Sequence, residues 1–266
     1  MTRGLSSHKR SLFVPCGENR GFSLVELLIV MLMSGVVMGA IYNIYSSQQK
    51  AYSSQELVAE TQQNFRAAIT VMGREIRLAG HRDPSTVADV PSTSTDCLVA
   101  PGVCIGSGAS QLVFTYFDTT ATDNAVDYDG DGVLHGVQGP SELVKVTYDL
   151  YDAYGAGVSD DLGRAVGAGN RVPTVLNIHG LQFRYLLDEG VGGFTFAPVG
   201  TVVSAGNMRS VRGVEVTILA KSSGVDRNYA VAPSFTAPGP GPTWVLPTGV
   251  RGRMFSTTIM CRNLSI

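Results

Sequence analysis

The stretch that decides the fold is Gly21-Phe22-Ser23-Leu24-Val25-Glu26, together with the apolar run that follows it as far as Tyr42. From Phe22 to Tyr42 the chain carries a single charge, that of Glu26. As an α-helix rising about 1.5 Å per residue, this run spans about 30 Å, which is the thickness of the hydrocarbon core of a bilayer. The sequence therefore predicts a transmembrane segment at about residues 22–44.

Basic residues lie just ahead of the apolar run, at Arg3, Lys9, Arg10 and Arg20. By the positive-inside rule, the N-terminus stays in the cytoplasm and the rest of the chain is exported. We therefore expect a single pass through the inner membrane.

Three interpretations compete for this stretch. A cleaved secretory signal has a shorter apolar core and a small-residue cleavage site after it, whereas here the core is long and Gly21 precedes it. A plain membrane anchor fits the length but leaves Glu26 without a role, although a carboxylate in the apolar core costs at least about 2.5 kcal/mol. Cleavage between Gly21 and Phe22 supplies a partner, because the new α-amino group of one subunit can pair with the Glu26 carboxylate of another.

The motif Gly21-Phe22-Ser23-Leu24-Val25-Glu26-Leu27-Leu28 resembles the type III signal of type IV pilins and of the pseudopilins of type II secretion. The resemblance implies a leader peptide at residues 1–21, cleavage after Gly21 by a prepilin peptidase, and methylation of the Phe22 amine. It also implies that Glu26 acts in assembly, through the N-terminal helix, with other major and minor pilins and with the pilus assembly platform.

The helix is expected to continue well beyond the apolar run. Residues 43–79 lack proline and are rich in residues that favour helices. A single apolar stripe recurs at helical spacing, made of Phe65, Ile69, Met72 and Ile76. Gly80 is typical of a helix C-terminal cap, and Pro84 follows it. We predict one long helix over residues 22–80, apolar in its first half and amphipathic in its second.

The remaining residues, 81–266, predict a β-rich periplasmic or extracellular domain. Alternating or β-branched segments predict strands at Gln111–Phe117, Leu143–Leu150, Leu181–Leu187, Val211–Ala220 and Phe255–Cys261. Residues 232–250 are rich in proline and glycine and predict a surface loop that contains Trp244. Its ring is expected to cover a sheet edge or the core, with an exposed contact residue as the alternative. The predicted fold class is α+β, pilin-like, with the long helix packed on an antiparallel β-sheet.

Two further stretches narrow the resemblance. Met72–Gly80 resembles the end of the long helix in PilW-type minor pilins, and Phe255–Asn263 resembles their last strand, which typically closes with Arg-Asn. This similarity implies a minor pilin that helps to initiate or cap a pilus at the cell surface. J-type pseudopilins of type II secretion share both stretches loosely and remain an alternative.

Asp127-Tyr128-Asp129-Gly130-Asp131-Gly132 has the spacing of the first half of an EF-hand calcium loop. Carboxylates that alternate on a tight turn converge on one point and suit a hard cation. Gln138 stands where a bidentate glutamate is expected, so the alternative is a plain acidic turn. We expect Asp127, Asp129 and Asp131 to bind calcium weakly, which leaves a membrane-anchored calcium-binding adhesin as a further alternative function.

The cysteines at positions 97 and 104 flank the turn signal Pro101-Gly102. In an oxidising compartment we expect a disulfide between Cys97 and Cys104, with two free thiols as the alternative. Cys261 is then left over and is expected to be buried in a strand.

Charge and motifs exclude several functional classes. Residues 1–21 contain four of the 20 basic and one of the 22 acidic residues, so the processed chain has 16 minus 21, or −5, formal charges. Bulk charge therefore does not indicate nucleic-acid binding. The histidines are scattered, and nucleophile elbows, phosphate loops and dinucleotide fingerprints are absent from the sequence. We expect a protein that is not an enzyme and has no cofactor other than calcium.

Overall fold

The structure is a computed structural model that describes residues 21–80, 102–105, 109–118, 142–155, 157–167, 169–201 and 210–265. The chain divides into two units, Met1–Gln49 and Lys50–Ile266. Each unit is described by itself below.

The helix α1 runs from Leu24 to Ile76, a length of 53 residues, and contributes to both units. Its first half is apolar on all sides. In the second half the predicted stripe points inward: Met72 and Ile76 are fully buried, while Phe65 and Ile69 pack against the core from its margin. The amphipathic pattern thus gives the second half one face that packs on the sheets.

The end of α1 is closed by a tight turn and by a contact with a strand. The amides of Leu78 and Ala79 donate to the carbonyls of Glu75 and Ile76 at 2.9 and 3.1 Å, respectively. Gly80 then takes a φ of 74°, which favours glycine. Its amide donates to the carbonyl of Thr115 at 2.9 Å. Gly80 therefore ends this turn rather than directly capping the helix.

The first sheet of the Lys50–Ile266 unit is an antiparallel meander, here called the meander sheet. In the described part of the chain its strands lie side by side in chain order: β1 (Gly102–Ile105), β2 (Leu112–Asp118), β3 (Glu142–Tyr151), β4 (Asp161–Val166) and β5 (Val172–Val175). Phe114 pairs with Val146, and Val146 pairs with Val166, which fixes the register across β2, β3 and β4. Phe114, Val146 and Tyr148 are fully buried, so one face of this sheet belongs to the core.

The second sheet, here called the central sheet, has the antiparallel order β11-β8-β6-β7 among the described residues. Its strands are β6 (Ile178–Asp188), β7 (Phe194–Phe196), β8 (Val211–Val225) and β11 (Val250–Met260). A short hairpin of β9 (Ser234–Thr236) and β10 (Thr243–Val245) joins β8 to β11. The surface loop predicted at residues 232–250 is therefore wrong in part, because most of its proline and glycine, at residues 238–242, forms the turn that connects the two strands of a hairpin.

One apolar core joins the helix to both sheets of this unit. Ala68, Met72 and Ile76 of α1 belong to the same cluster as residues of the meander sheet and of the central sheet. The ring of Phe65 stacks on Phe255 of β11, with centroids 3.9 Å apart. The predicted fold class, a long helix packed on antiparallel β-structure, is confirmed.

Candidate functional site

The predicted cleavage motif lies immediately before the first turn of α1. Gly21, Phe22 and Ser23 have no regular secondary structure, and the amide of Leu27 donates to the carbonyl of Ser23 at 3.1 Å. The side chain of Phe22 is 78% exposed, and no described atom would lie within 4 Å of a Cβ at Gly21. Among the described residues, Gly21 and Phe22 are therefore exposed and non-helical.

The first half of α1 exposes its apolar side chains all round. Its most apolar window has a mean hydropathy of 2.4, and none of that window is buried. By length and composition, α1 is able to cross a membrane. An all-round apolar surface needs either lipid or other helices around it, since water would solvate it poorly.

Glu26 stands in the first turn of this helix and is the last charged residue before Lys50. Its carboxylate makes no ion pair with any residue that the structure describes. The positive end of the helix dipole favours a carboxylate at this position. Glu26 therefore places one negative charge beside the predicted cleavage motif, and a cation brought to this end of the helix would complete a pair.

The predicted calcium and disulfide residues lie largely outside the described residues. Asp127, Asp129, Asp131 and Cys97 belong to undescribed segments, and Cys104 is part of β1. Within the described residues, no group of three or more His, Cys, Asp or Glu side chains is arranged to hold a metal ion. The calcium site and the disulfide both stay predictions.

Cys261 directly follows β11 rather than lying within it. It is a free cysteine with 2% of its surface exposed, and its amide donates to the carbonyl of Arg212 at 2.9 Å. Burial raises the pKa of its thiol to about 12. The prediction of a buried Cys261 is confirmed, and the thiol stays protonated and unreactive at neutral pH.

Trp244, on β10, covers the central sheet as the sequence predicts. A Cβ placed on Gly180 of β6 would stand 2.5 Å from Cδ2 of the indole. The bare backbone of Gly180 therefore lets the ring lie directly on the strand. The indole is partly buried and serves as a cover over the sheet.

Sequence reasoning missed a polar layer beneath the hairpin. Arg184 of β6 donates through Nε to Oε2 of Glu215 on β8 at 2.6 Å, and both side chains are largely buried. Gln182 is only 1% exposed, and its side-chain nitrogen Nε2 donates to the carbonyl of Pro238 at 3.1 Å. The sequence does place Gln182 and Arg184 at alternate positions of a predicted strand, which indicates a polar face. It does not show that the β9–β10 hairpin covers this face and buries both side chains.

Comparison with known proteins identifies the N-terminal stretch. Residues 18–42 match the family model described as the prokaryotic N-terminal methylation motif. A search of curated proteins returned no match. Among solved structures, the chain is similar to a type IV-like pilin from Thermus thermophilus at 14% sequence identity and a TM-score of 0.46, over 77% of this chain and 97% of that chain.

Proposed function

We propose that this chain is a type IV pilin subunit that is made as a membrane-inserted precursor and assembles into a filament through α1. The observation that carries the proposal is the coincidence of the N-terminal methylation motif with an exposed, all-apolar helix start. In this proposal residues 1–21 are the leader, residues 22–80 form the assembly helix with its transmembrane part at about 22–44, and residues 81–266 form the exported domain.

Cleavage between Gly21 and Phe22 by prepilin peptidase leaves a new α-amino group four residues before Glu26. The Phe22 amine is then methylated. In a packed array of such helices, the Glu26 carboxylate of one subunit neutralises the amine of its neighbour. Because the pair forms away from water, an unmatched charge there is costly, so the pairing selects the correct register between subunits.

The finer assignment within this proposal is a PilW-type minor pilin that helps to initiate or cap the pilus. It is supported by the contact between the two stretches that resemble these proteins. The position of a Cβ on Gly73 lies 3.8 Å from Cδ1 of Ile259, and the side-chain amide of Asn263 donates to the carbonyl of Arg77 at 3.2 Å. Asn263, in a short 3-10 helix (Arg262–Ser265) that follows β11, thus satisfies a carbonyl at the end of α1.

Two alternative functions fit the same observations. A J-type pseudopilin of type II secretion would be processed in the same way and would differ only in the filament it joins. A membrane-anchored calcium-binding adhesin would keep its N-terminus or lose it to a signal peptidase. In the favoured proposal the N-terminus of the precursor is cytoplasmic, and the processed chain ends in a pilus at the cell surface.

The decisive experiment is intact mass and N-terminal sequencing of the protein from native membranes. The proposal expects a chain that starts at N-methylated Phe22. Replacement of Gly21 by a bulky residue is expected to block cleavage, whereas Glu26→Val is expected to permit cleavage and to block assembly. Glu56→Val, which removes an exposed carboxylate elsewhere on α1, is the matched control and is expected to leave both steps intact. Normal assembly of the Glu26→Val variant would contradict the proposed pairing.

A further inference from the structure

An open groove of about 550 Å³ runs between the last turns of α1 and the strand β11 in the Lys50–Ile266 unit. Its walls include Thr70, Gly73 and Arg74 of the helix, Arg77 of the turn that follows the helix, and Thr257 and Thr258 of the strand. We call this surface the arginine groove. It lies in the globular unit, so the inference drawn from it goes beyond the proposed role of the N-terminal helix.

The positive charge of the groove is not neutralised within the described part of the chain. Arg74 and Arg77 are exposed and make no ion pair with a described residue. The nearest acid in sequence, Glu75, is already committed to Arg164 and Tyr148. Among the described residues the groove therefore presents two guanidinium groups without an ion-pair partner, which favour an acidic occupant.

Further arginines extend this charge along the same surface. Arg66 stands on the same helical face as Thr70 and Arg77, because residues four and eleven positions apart lie close in angle on an α-helix. On the strand, Arg253 lines a neighbouring cavity that α1 also borders, and its guanidinium lies over the ring of Phe255, with 5.6 Å between Cζ and the centroid. From Arg66 to Arg77 the helix rises about 16 Å, the length of about five residues of an extended strand.

The strand that borders the groove has one unpaired edge. Among the described residues, β11 pairs with β8 alone. Its register is regular from Gly252 to Met260, and the amide of the next residue, Cys261, donates to Arg212 on the β8 side. Because hydrogen-bonding direction alternates along an antiparallel pair, Ser256, Thr258 and Met260 point their amide and carbonyl groups away from β8.

We propose that the arginine groove binds an extended acidic segment of a partner subunit, which adds to β11 as a further strand. Main-chain hydrogen bonds to the free edge hold the segment, and its carboxylates meet Arg74 and Arg77. The free strand edge is what favours a peptide over a nucleic acid, since a phosphate backbone would use the arginines but not the main-chain groups of β11.

The experiment measures binding of a fluorescent peptide, in which aspartate alternates with valine, to the full-length protein in nonionic detergent. Salt is expected to weaken binding, and replacement of the aspartates by asparagine is expected to abolish it. The combined change Arg74→Glu and Arg77→Glu is expected to weaken binding about tenfold. Arg227→Glu makes the same kind of charge change at an exposed turn outside the groove and is expected to have no effect.

A second pair of variants tests the strand edge itself. Thr258→Pro removes an amide that points away from β8 and is expected to weaken binding about fivefold while the fold is kept. Thr258→Val keeps that amide and is expected to bind as the wild type does; thermal unfolding of both variants checks the fold.

Three outcomes would overturn the proposal. The first is peptide binding that is absent or insensitive to Arg74 and Arg77. The second is a single-stranded DNA oligonucleotide that binds with the same arginine dependence while Thr258→Pro has no effect. The third is self-association that the arginine reversals abolish without any peptide binding, which would make the groove a contact between copies.

Discussion

The carboxylate of Glu75, in the last turn of α1, accepts a bifurcated hydrogen bond from Nε of Arg164 on β4, with 3.1 and 3.0 Å to its two oxygens. The hydroxyl of Tyr148 on β3 donates to the same carboxylate at 2.6 Å. Burial, followed by the neighbouring Glu75, raises the pKa of Tyr148. This cluster ties the helix to the meander sheet through a group that is charged and mostly shielded from water.

Replacement of Glu75 by glutamine is expected to lower the free energy of unfolding by about 1–3 kcal/mol, because Arg164 and Tyr148 lose a charged acceptor. Urea unfolding of the full-length protein in detergent measures the change. Glu56→Gln, at an exposed position of the same helix, is the control and is expected to stay within about 0.5 kcal/mol of the wild type. Equal effects of the two changes would show that the cluster adds nothing to stability.

The contact between Gly180 and Trp244 predicts a fluorescence change. A Cβ on Gly180 would collide with the indole, so Gly180→Ala is expected to push the ring toward solvent and to cost about 1–3 kcal/mol. Trp244 is the only tryptophan of the chain, so a red shift of emission reports its position directly. Gly192→Ala is the control, since the nearest atom to its Cβ is 3.7 Å away. An unchanged emission spectrum in Gly180→Ala would contradict the contact.

The elements predicted from the sequence are those with a long periodic signal. The apolar run and the stripe from Phe65 to Ile76 extend over many turns, so a helix was predicted that the structure gives as Leu24–Ile76. Alternation along β2, β3, β6, β8 and β11 likewise predicted their positions, with ends that differ by a few residues. Each of these patterns arises because one face of the element is buried, which places apolar residues at regular intervals along the sequence.

Two of the missed strands, β4 and β5, lack such a pattern for physical reasons. β4 contains Gly163, which resembles a loop residue, but a Cβ there would lie 2.7 Å from Cδ1 of Tyr151. β5 contains Pro173, which is tolerated because β5 is an edge strand of the meander sheet as described. Gly163 is accommodated because of a neighbour in the adjacent strand, and Pro173 because of the position of β5 at the edge of the sheet. Local propensity reflects neither of these causes, so it indicated loops where the structure has strands.

The candidate functional residues also fall into two groups, those that the sequence predicted and those that it missed. The motif around Gly21, Phe22 and Glu26 is contiguous, so the sequence alone was enough to find it. The arginine groove combines residues of α1 with residues of β11 that follow about 180 positions later in the chain. Such a surface exists only after the helix has packed on the central sheet. No local sequence pattern therefore predicts it.

Cys261 is expected to resist thiol reagents in the folded protein. Its burial and its raised pKa keep the thiolate, which is the reactive form, scarce at neutral pH. Iodoacetamide labelling followed by mass spectrometry is expected to modify Cys261 only after denaturation. Cys261→Ser, which cannot be labelled at position 261 in either state, assigns the modified peptide among those of the other cysteines. Rapid labelling of the native protein would show that the C-terminal end of β11 opens readily.

The predicted calcium loop has a thermodynamic consequence. For a dissociation constant of about 1 mM, 10 mM calcium is expected to stabilise the protein by about 1.4 kcal/mol, because binding adds RT ln(1 + [L]/Kd). Thermal unfolding with calcium, with magnesium and with EDTA measures the shift. Asp129→Asn is expected to remove the calcium effect while leaving the melting temperature in EDTA unchanged. The absence of any calcium shift in the wild type would reduce the stretch to an acidic turn.

The hydrogen bonds of Asp226 predict that the free energy of unfolding of the Lys50–Ile266 unit falls in acid. The amide of Asn228 donates to its carboxylate at 2.9 Å and Nε of Arg251 donates at 2.8 Å. These contacts lower the pKa of Asp226 below its ordinary value of 3.8. A depressed carboxyl pKa adds stability above the unfolded-state pKa, and this contribution is lost as the pH falls through the folded-state pKa.

The difference in stability between the wild type and Asp226→Asn is therefore expected to be full at pH 6 and to shrink below about pH 4. Urea midpoints at pH 6, pH 4 and pH 3 measure it. Glu56→Gln serves as the control for the general loss of negative charge. A difference that stays constant from pH 6 to pH 3 would mean that Asp226 contributes through its shape and hydrogen bonds alone, because protonation would then leave its contribution unchanged.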